Sequence, residues 1–374
     1  MIAQNIDMPP PGDFIREELE TRGWAQRDLA YVLGMPEQSV NMVVSGKRGI
    51  TADMARALGD AFDVAPEFFL NLQTAYDLSH AKQPAADVAR KARLQSAYPV
   101  REMIKRGWLV DGDAAALEKQ MCAFFEVSNT NDMPNLAHAA KKTGDSSEAT
   151  PSQQAWLFRV RQIAREMVIP EYNERALRGA LEKLHALMVA PEEARHVPRI
   201  LSECGVRFIL VESLPGAKID GVCFWLDGSP VIGMSCRHDR IDNFWFVLRH
   251  EIEHVLRRHA LDRTIFDDLD GENGGTGDSV PEQERDANAA GADFSVPSAK
   301  LDSFVARKAP YISERDVANF AMLLHVHPGV VAGRLRWKLQ NWALFSKLLV
   351  KIRTFVTTSA VVDGWGQVAP VLQG

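Results

Sequence analysis

The residues best equipped for chemistry in this 374-residue chain stand in one run, Arg249-His250-Glu251-Ile252-Glu253-His254. On an α-helix, positions four apart differ by only about 40° in azimuth, so His250 and His254 project from one face and can share a tetrahedral cation. Glu251 follows His250 directly, where its carboxylate can reach a water at the ion instead of the ion itself. Zinc lowers the pKa of such a water to about 7, and a carboxylate that accepts its proton produces a nucleophile for a peptide carbonyl. The chemistry predicted by this spacing is zinc-assisted amide hydrolysis with Glu251 as general base. The competing reading is a solvated helix face that happens to carry two histidines and two carboxylates. Against it stands the approach Phe244-Trp245-Phe246, whose aromatics would bury the helix start.

A catalytic zinc takes three protein ligands, so one more must come from elsewhere. His259 lies five residues past His254, about 140° further round a helix, and is expected to face away as a surface histidine. Position 260, where the extended metzincin pattern has histidine, holds Ala260. The next helical stretch offers Glu284 and Asp286, about 200° apart, so that only one faces the metal. Glu284 is the better candidate, because Asn288 lies one turn later on its face and can orient a ligating histidine. Asp286 is the alternative, and would otherwise point to solvent or to a surface arginine such as Arg285.

These side chains need a scaffold. Short β-type runs precede the histidine helix at Val206 to Val211, Val222 to Leu226 and Pro230 to Met234, and Asp227-Gly228-Ser229 between the last two signals a hairpin. Helices are expected over residues 242–258 and 282–294, with the Asp- and Gly-dense stretch 267–278 between them as an exposed loop. The result is an α+β arrangement. Upstream, residues 79–188 are mostly helical, interrupted by a polar loop over 129–152. Downstream, residues 313–336 read as a helical hairpin over the core, a second DNA-reading pair being the alternative. Residues 359–374 carry no pattern.

The N-terminal region differs in kind. Between residues 12 and 76 short helices alternate with punctuation: one to Arg22, one from Ala25 to the stop at Gly34, one from Pro36 to Ser45, one after the cap Thr51, and one after Ala65 with Pro66 in its first turn. This is an all-α domain. Residues 1–78 hold six basic against twelve acidic side chains, which accounts for the whole net charge of −6. Residues 82–106 are net +5, as a basic solvated helix face or an additional phosphate contact.

Residues 8–78 resemble the HigA-type antitoxins of the Cro/repressor helix-turn-helix superfamily. Pro11-Gly12, Ala25 to Ala30, Gln38 to Asn41, Gly46 to Thr51 and Pro66 to Leu72 carry the resemblance. It implies a helix lying in the major groove, with Gln38, Ser39 and Asn41 facing base edges and Gln26, Lys47 and Arg48 holding phosphates. The acidic balance and Glu37 favour the competing reading, a helix-turn-helix turned to protein contacts. Residues 235–254, the run Glu284 to Asn288 and the signature Phe294-Ser295-Val296-Pro297 resemble the ImmA/IrrE metallopeptidase family. That resemblance implies a zincin-like domain of gluzincin type, with His250, His254 and Glu284 as zinc ligands and Glu251 as general base. Two departures stand out: Glu253 replaces the family's small residue, and Ala290-Gly291 replaces Phe-Ala.

The expected organisation is a helix-turn-helix domain over 1–78, a helical middle region over 79–190, a metallopeptidase-like domain over 191–358 and a tail over 359–374. No apolar run approaches the eighteen or so residues of a membrane span, and no secretory signal is visible, so a cytoplasmic protein is expected. Cys122, Cys204, Cys223 and Cys236 lack the close pairing of a thiolate metal site and read as reduced thiols. The expected function is that of a homodimeric regulator that binds operator DNA and uses zinc to cleave a protein substrate, a repressor or antitoxin. The alternative is a HigA-like regulator whose zinc domain senses or binds without cutting.

Overall fold

Local chemistry sets most of the N-terminal helix ends. In the computed structural model, which describes residues 8–82, 86–132, 140–142, 149–259, 261, 264–267 and 281–370, α1 spans Pro11–Arg22, α2 Gln26–Leu33, α3 Glu37–Val44, α4 Ala52–Phe62 and α5 Pro66–His80. Gly34 closes α2 in the left-handed conformation, Thr51 Oγ1 accepts from Met54 N at the start of α4, and Pro66 opens α5. Ile15, Leu29, Val40, Val44, Leu58, Phe62 and Phe69 meet in one small core. The chain divides into two compact units, Met1–Ala85 and Ala86–Gly374.

The second unit begins with α6 (Ala86–Ala97), α7 (Val100–Lys105) and α8 (Ala114–Phe125), followed by β1 (Ala140–Lys142), α9 (Pro151–Glu166), α10 (Glu174–Ala186) and α11 (Val197–Glu203). Next come β2 (Arg207–Val211), the hairpin of β3 (Gly221–Leu226) and β4 (Ser229–Met234), α12 (Ile241–Leu256), β5 (Thr264–Asp267) and α13 (Glu282–Ser295). After them lie α14 (Ser298–Lys308), α15 (Glu314–Leu324), α16 (Pro328–Lys338), α17 (Arg353–Val356) and β6 (Val361–Asp363).

The strands form a mixed sheet in the order β1-β5-β3-β4-β2-β6. β3 runs antiparallel to both β4 and β5, while β2 runs parallel to β4 and β6. Alternate residues point to opposite faces of a strand, and both faces are covered. Val222 and Phe224 of β3, Ile209 of β2 and Val231 of β4 pack with Val160 of α9. Cys223, Phe208 and Ile232 pack on the other side with Trp245, Leu248 and Ile252 of α12. Burial on both sides explains why β2 to β4 are apolar almost throughout instead of alternating.

The expected strands and the two site helices appear within two residues of the positions read from the sequence. The divisions do not. Residues 86–190 share the apolar cores of the sheet, because α9 contributes Trp156, Val160 and Ile163 to one of its faces. The 79–190 and 191–358 segments therefore belong to one unit from residue 86 onward. Part of the expected tail is structural: β6 pairs with β2, and Asp363 accepts from Trp108 Nε1 at 2.8 Å and Arg159 Nε at 2.9 Å. α15 and α16 lie over the core as a hairpin, with Val317, Phe320, Val330 and Leu335 inside. The expected loop at 129–152 contains β1, and Asp267 of the second ends β5; the remainder of 267–278 lies outside the described residues. Among the described residues no helix is long and apolar enough to cross a membrane.

Candidate functional site

α12 has two faces with different work. Phe244, Val247, Leu248, Ile252 and Val255 take one side into the core. His250, Glu251 and His254 point elsewhere on the same helix and are nonetheless 0 % exposed, because α13 and β3 both pack along α12. The two helices approach closely at Gly291, where a Cβ would fall 2.9 Å from the Phe246 carbonyl oxygen. A side chain at position 291 would have to push the two helices apart.

α13 delivers Glu284, 2 % exposed, to the two imidazoles. His250 Nε2 and His254 Nε2 are 3.0 Å apart, and Glu284 carboxylate oxygens lie 3.3 Å from the first and 3.2 Å from the second. A tetrahedral zinc with bonds of about 2.0–2.1 Å separates its donor atoms by about 3.3 Å. Two imidazole nitrogens and one carboxylate at these separations fit such an ion. Burial would raise the Glu284 pKa, but hydrogen bonds from His250 and His254 outweigh it and hold the carboxyl well below the usual carboxylate range.

The other candidates fall into distinct places. Asp286, two residues on, is turned outward, with Oδ2 3.5 Å from the surface arginine Arg257. Asn288, one turn beyond Glu284, is buried at 8 %. Glu253 bridges Arg249 at 2.7 Å and Arg257 at 2.8 Å, and its pKa is lowered because these hydrogen bonds outweigh the desolvation that opposes them. Its charge is thus balanced by Arg249 on the same helix and by Arg257 at the helix end.

Two residues that the sequence reading did not place at the site lie against it. Gly221, at the start of β3, faces Glu251 so closely that a Cβ there would lie 1.9 Å from Glu251 Oε1. Nothing in the sequence announces this contact, since the two positions are on different elements. His259 corrects an expectation. It does not face away: its Nδ1 lies 3.1 Å from His254 Nδ1. The helical extrapolation fails because α12 stops at Leu256 and Arg258 turns left-handed, φ 57°, which brings His259 N onto the His254 carbonyl. Burial, above all, pushes the His259 imidazole below its ordinary pKa.

In the first unit, α3 buries Val40, Val43 and Val44 and leaves Gln38 and Asn41 exposed, with Ser39 half-buried. Asn41 Nδ2 donates to Gln26 Oε1 at 3.1 Å, so a half-buried α2 residue and an α3 residue expected to have separate duties are tied together. Lys47 and Arg48 are exposed in the turn that follows.

A family profile described as Helix-turn-helix matches residues 15–69. Over 92 residues, 24% of this chain and 80% of the relative, the sequence is 38% identical to Virulence-associated protein A' of Dichelobacter nodosus. It is 33% identical over 86 residues to the uncharacterized HTH-type transcriptional regulator YddM of Escherichia coli, covering 23% of this chain and 90% of that one. A solved structure of the Pseudomonas aeruginosa antitoxin HigA with higBA promoter is similar at 33% identity, over 24% of this chain and 92% of that chain, with a TM-score of 0.19.

Proposed function

The chain belongs, through its N-terminal region, to the helix-turn-helix family, and from that premise we propose a DNA-binding transcriptional regulator whose second unit is a zinc-dependent endopeptidase. The DNA-binding half rests on the family and on the polar surface of α3. An exposed helix with amide side chains at Gln38 and Asn41 suits the major groove, where such groups read adenine. Exposed Lys47 and Arg48 supply phosphate contacts that are insensitive to sequence. The protein acts as a dimer on a two-fold operator.

The observation that supports the enzymatic half is the meeting of His250, His254 and Glu284 at 3.0 to 3.3 Å, with Glu251 buried at the next position of the same helix. Zinc bound there would act as a Lewis acid toward a peptide carbonyl and acidify a water. His250 and His254 would hold it through Nε2, and Glu284 through its carboxylate. Glu251 accepts the proton of the attacking water and returns it to the departing amine nitrogen. A site that only bound or sensed the metal would have no use for that carboxylate. The substrate is a protein regulator, a repressor or antitoxin.

The test is incubation of the purified protein with regulators encoded beside its gene, with and without a chelator. Discrete fragments that vanish with chelator are expected. Intact candidates under all conditions would leave a regulator with a binding or sensing domain.

A further inference from the structure

A neutral imidazole carries one proton, and a metal occupies only a nitrogen that lacks it. In His254 the two nitrogens have different surroundings. Nε2 is 3.0 Å from His250 Nε2 and 3.2 Å from Glu284 Oε1, whereas Nδ1, on the opposite side of the ring, is 3.1 Å from Nδ1 of His259. We infer that His259 is a positioning residue of the metal centre: its Nδ1 accepts the Nδ1–H of His254 and thereby commits His254 Nε2 to the ion. This rests on the reading of His250, His254 and Glu284 as a metal centre.

The backbone makes this arrangement specific. Five residues along an uninterrupted helix would carry His259 about 140° away from His254. Instead, the left-handed Arg258 folds the chain back, and His259 N donates to the His254 carbonyl oxygen at 3.1 Å. Backbone and side chain of His259 thus both engage His254, fixing ring position and tautomer together. Partners of this kind orient ligating histidines and raise their basicity, and losing one typically weakens metal affinity by about 10- to 100-fold. His259 itself carries its proton on Nε2, away from His254, and makes no contact with the ion.

The experiment compares zinc affinity by chelator competition, and the visible spectrum of the cobalt-substituted protein, in wild type, His259→Phe and His259→Asn. Phenylalanine keeps a ring but supplies no acceptor; asparagine restores an acceptor oxygen near the position of Nδ1. The expected result is one zinc per wild-type chain, affinity about 10- to 100-fold weaker with an altered cobalt spectrum in His259→Phe, and recovery of both in His259→Asn. Wild-type affinity and spectrum in His259→Phe would overturn the inference, as would an asparagine variant no better than phenylalanine. A wild-type protein that takes up no zinc would bring down the metal-centre reading itself.

Discussion

Glu251 and Glu284 are both buried carboxylates, yet their neighbours differ. Glu284 lies between two imidazole nitrogens, whereas Glu251 lies against the bare backbone of Gly221. Glu251→Gln should therefore retain zinc and fold while abolishing cleavage, because an amide can hydrogen-bond a water but cannot take its proton. Gly221→Ala should act similarly by displacing the carboxylate, since the added methyl would start 1.9 Å from Oε1. Fragment yield and zinc content measured together decide the point; undiminished cleavage by Glu251→Gln would remove it as the base. For the ligand set, Glu284→Gln should lower zinc occupancy and activity together, Asn288→Ala should weaken affinity by about 10- to 100-fold, and Asp286→Asn should change little. Full zinc in Glu284→Gln with loss in Asp286→Asn would reverse the assignment.

At the scale of elements, the same physical device appears in both units: a helix buries an apolar face and carries polar side chains on the remainder. α12 does so inside a packed layer, where α13 covers its polar face and leaves His250 and His254 dry. α3 does so at the surface, with valines inward and Gln38 and Asn41 outward. The two helices should consequently respond differently to substitution. Replacing Lys47 and Arg48 by alanine should weaken DNA binding across all sequences and reduce its salt dependence, as the proposed phosphate contacts require. Gln38→Ala should relax base preference by about 1–3 kcal/mol at one position. Footprinting and titration against operator and random DNA separate the two effects, and absence of any protected site near the protein's own gene at low salt would end the DNA-binding reading.

Across the whole molecule, the second unit is closed by its own last strand. Asp363 is fully buried and accepts from Trp108, Arg159 and the Ala369 amide, joining α9 and the segment before α8 to β6. Arg159 is itself 5 % exposed, so removing its partner strands a charge away from water. Breaking a buried pair from one side typically costs about 3–5 kcal/mol. Asp363→Asn should lower the urea midpoint of the second unit correspondingly, and an unchanged midpoint would show that β6 is dispensable. Asp363 contributes to uniting residues 86–190 with the sheet, and it does so through Trp108 and Arg159, 255 and 204 positions away in sequence.

Separation along the chain is the difference between what could be read and what could not. The ends of α2, α4 and α5, the β3–β4 hairpin and the shared face of His250 and His254 follow from caps, prolines, turn residues and helical periodicity, all of which act within a few residues. The sequence by itself thus determined the helix-turn-helix and the helix that bears the histidines. It ranked Glu284 above Asp286, but the packing of α13 on α12 is what brings one carboxylate to the imidazoles and turns the other toward Arg257. The place of His259 was decided by a left-handed residue that ended α12 early, and periodicity has no term for where a helix stops. The pairing of β6 with β2 and the fit of Glu251 against Gly221 depend on elements brought together only by the folded core. Tertiary structure decided these, because a contact between distant positions leaves no local pattern in either.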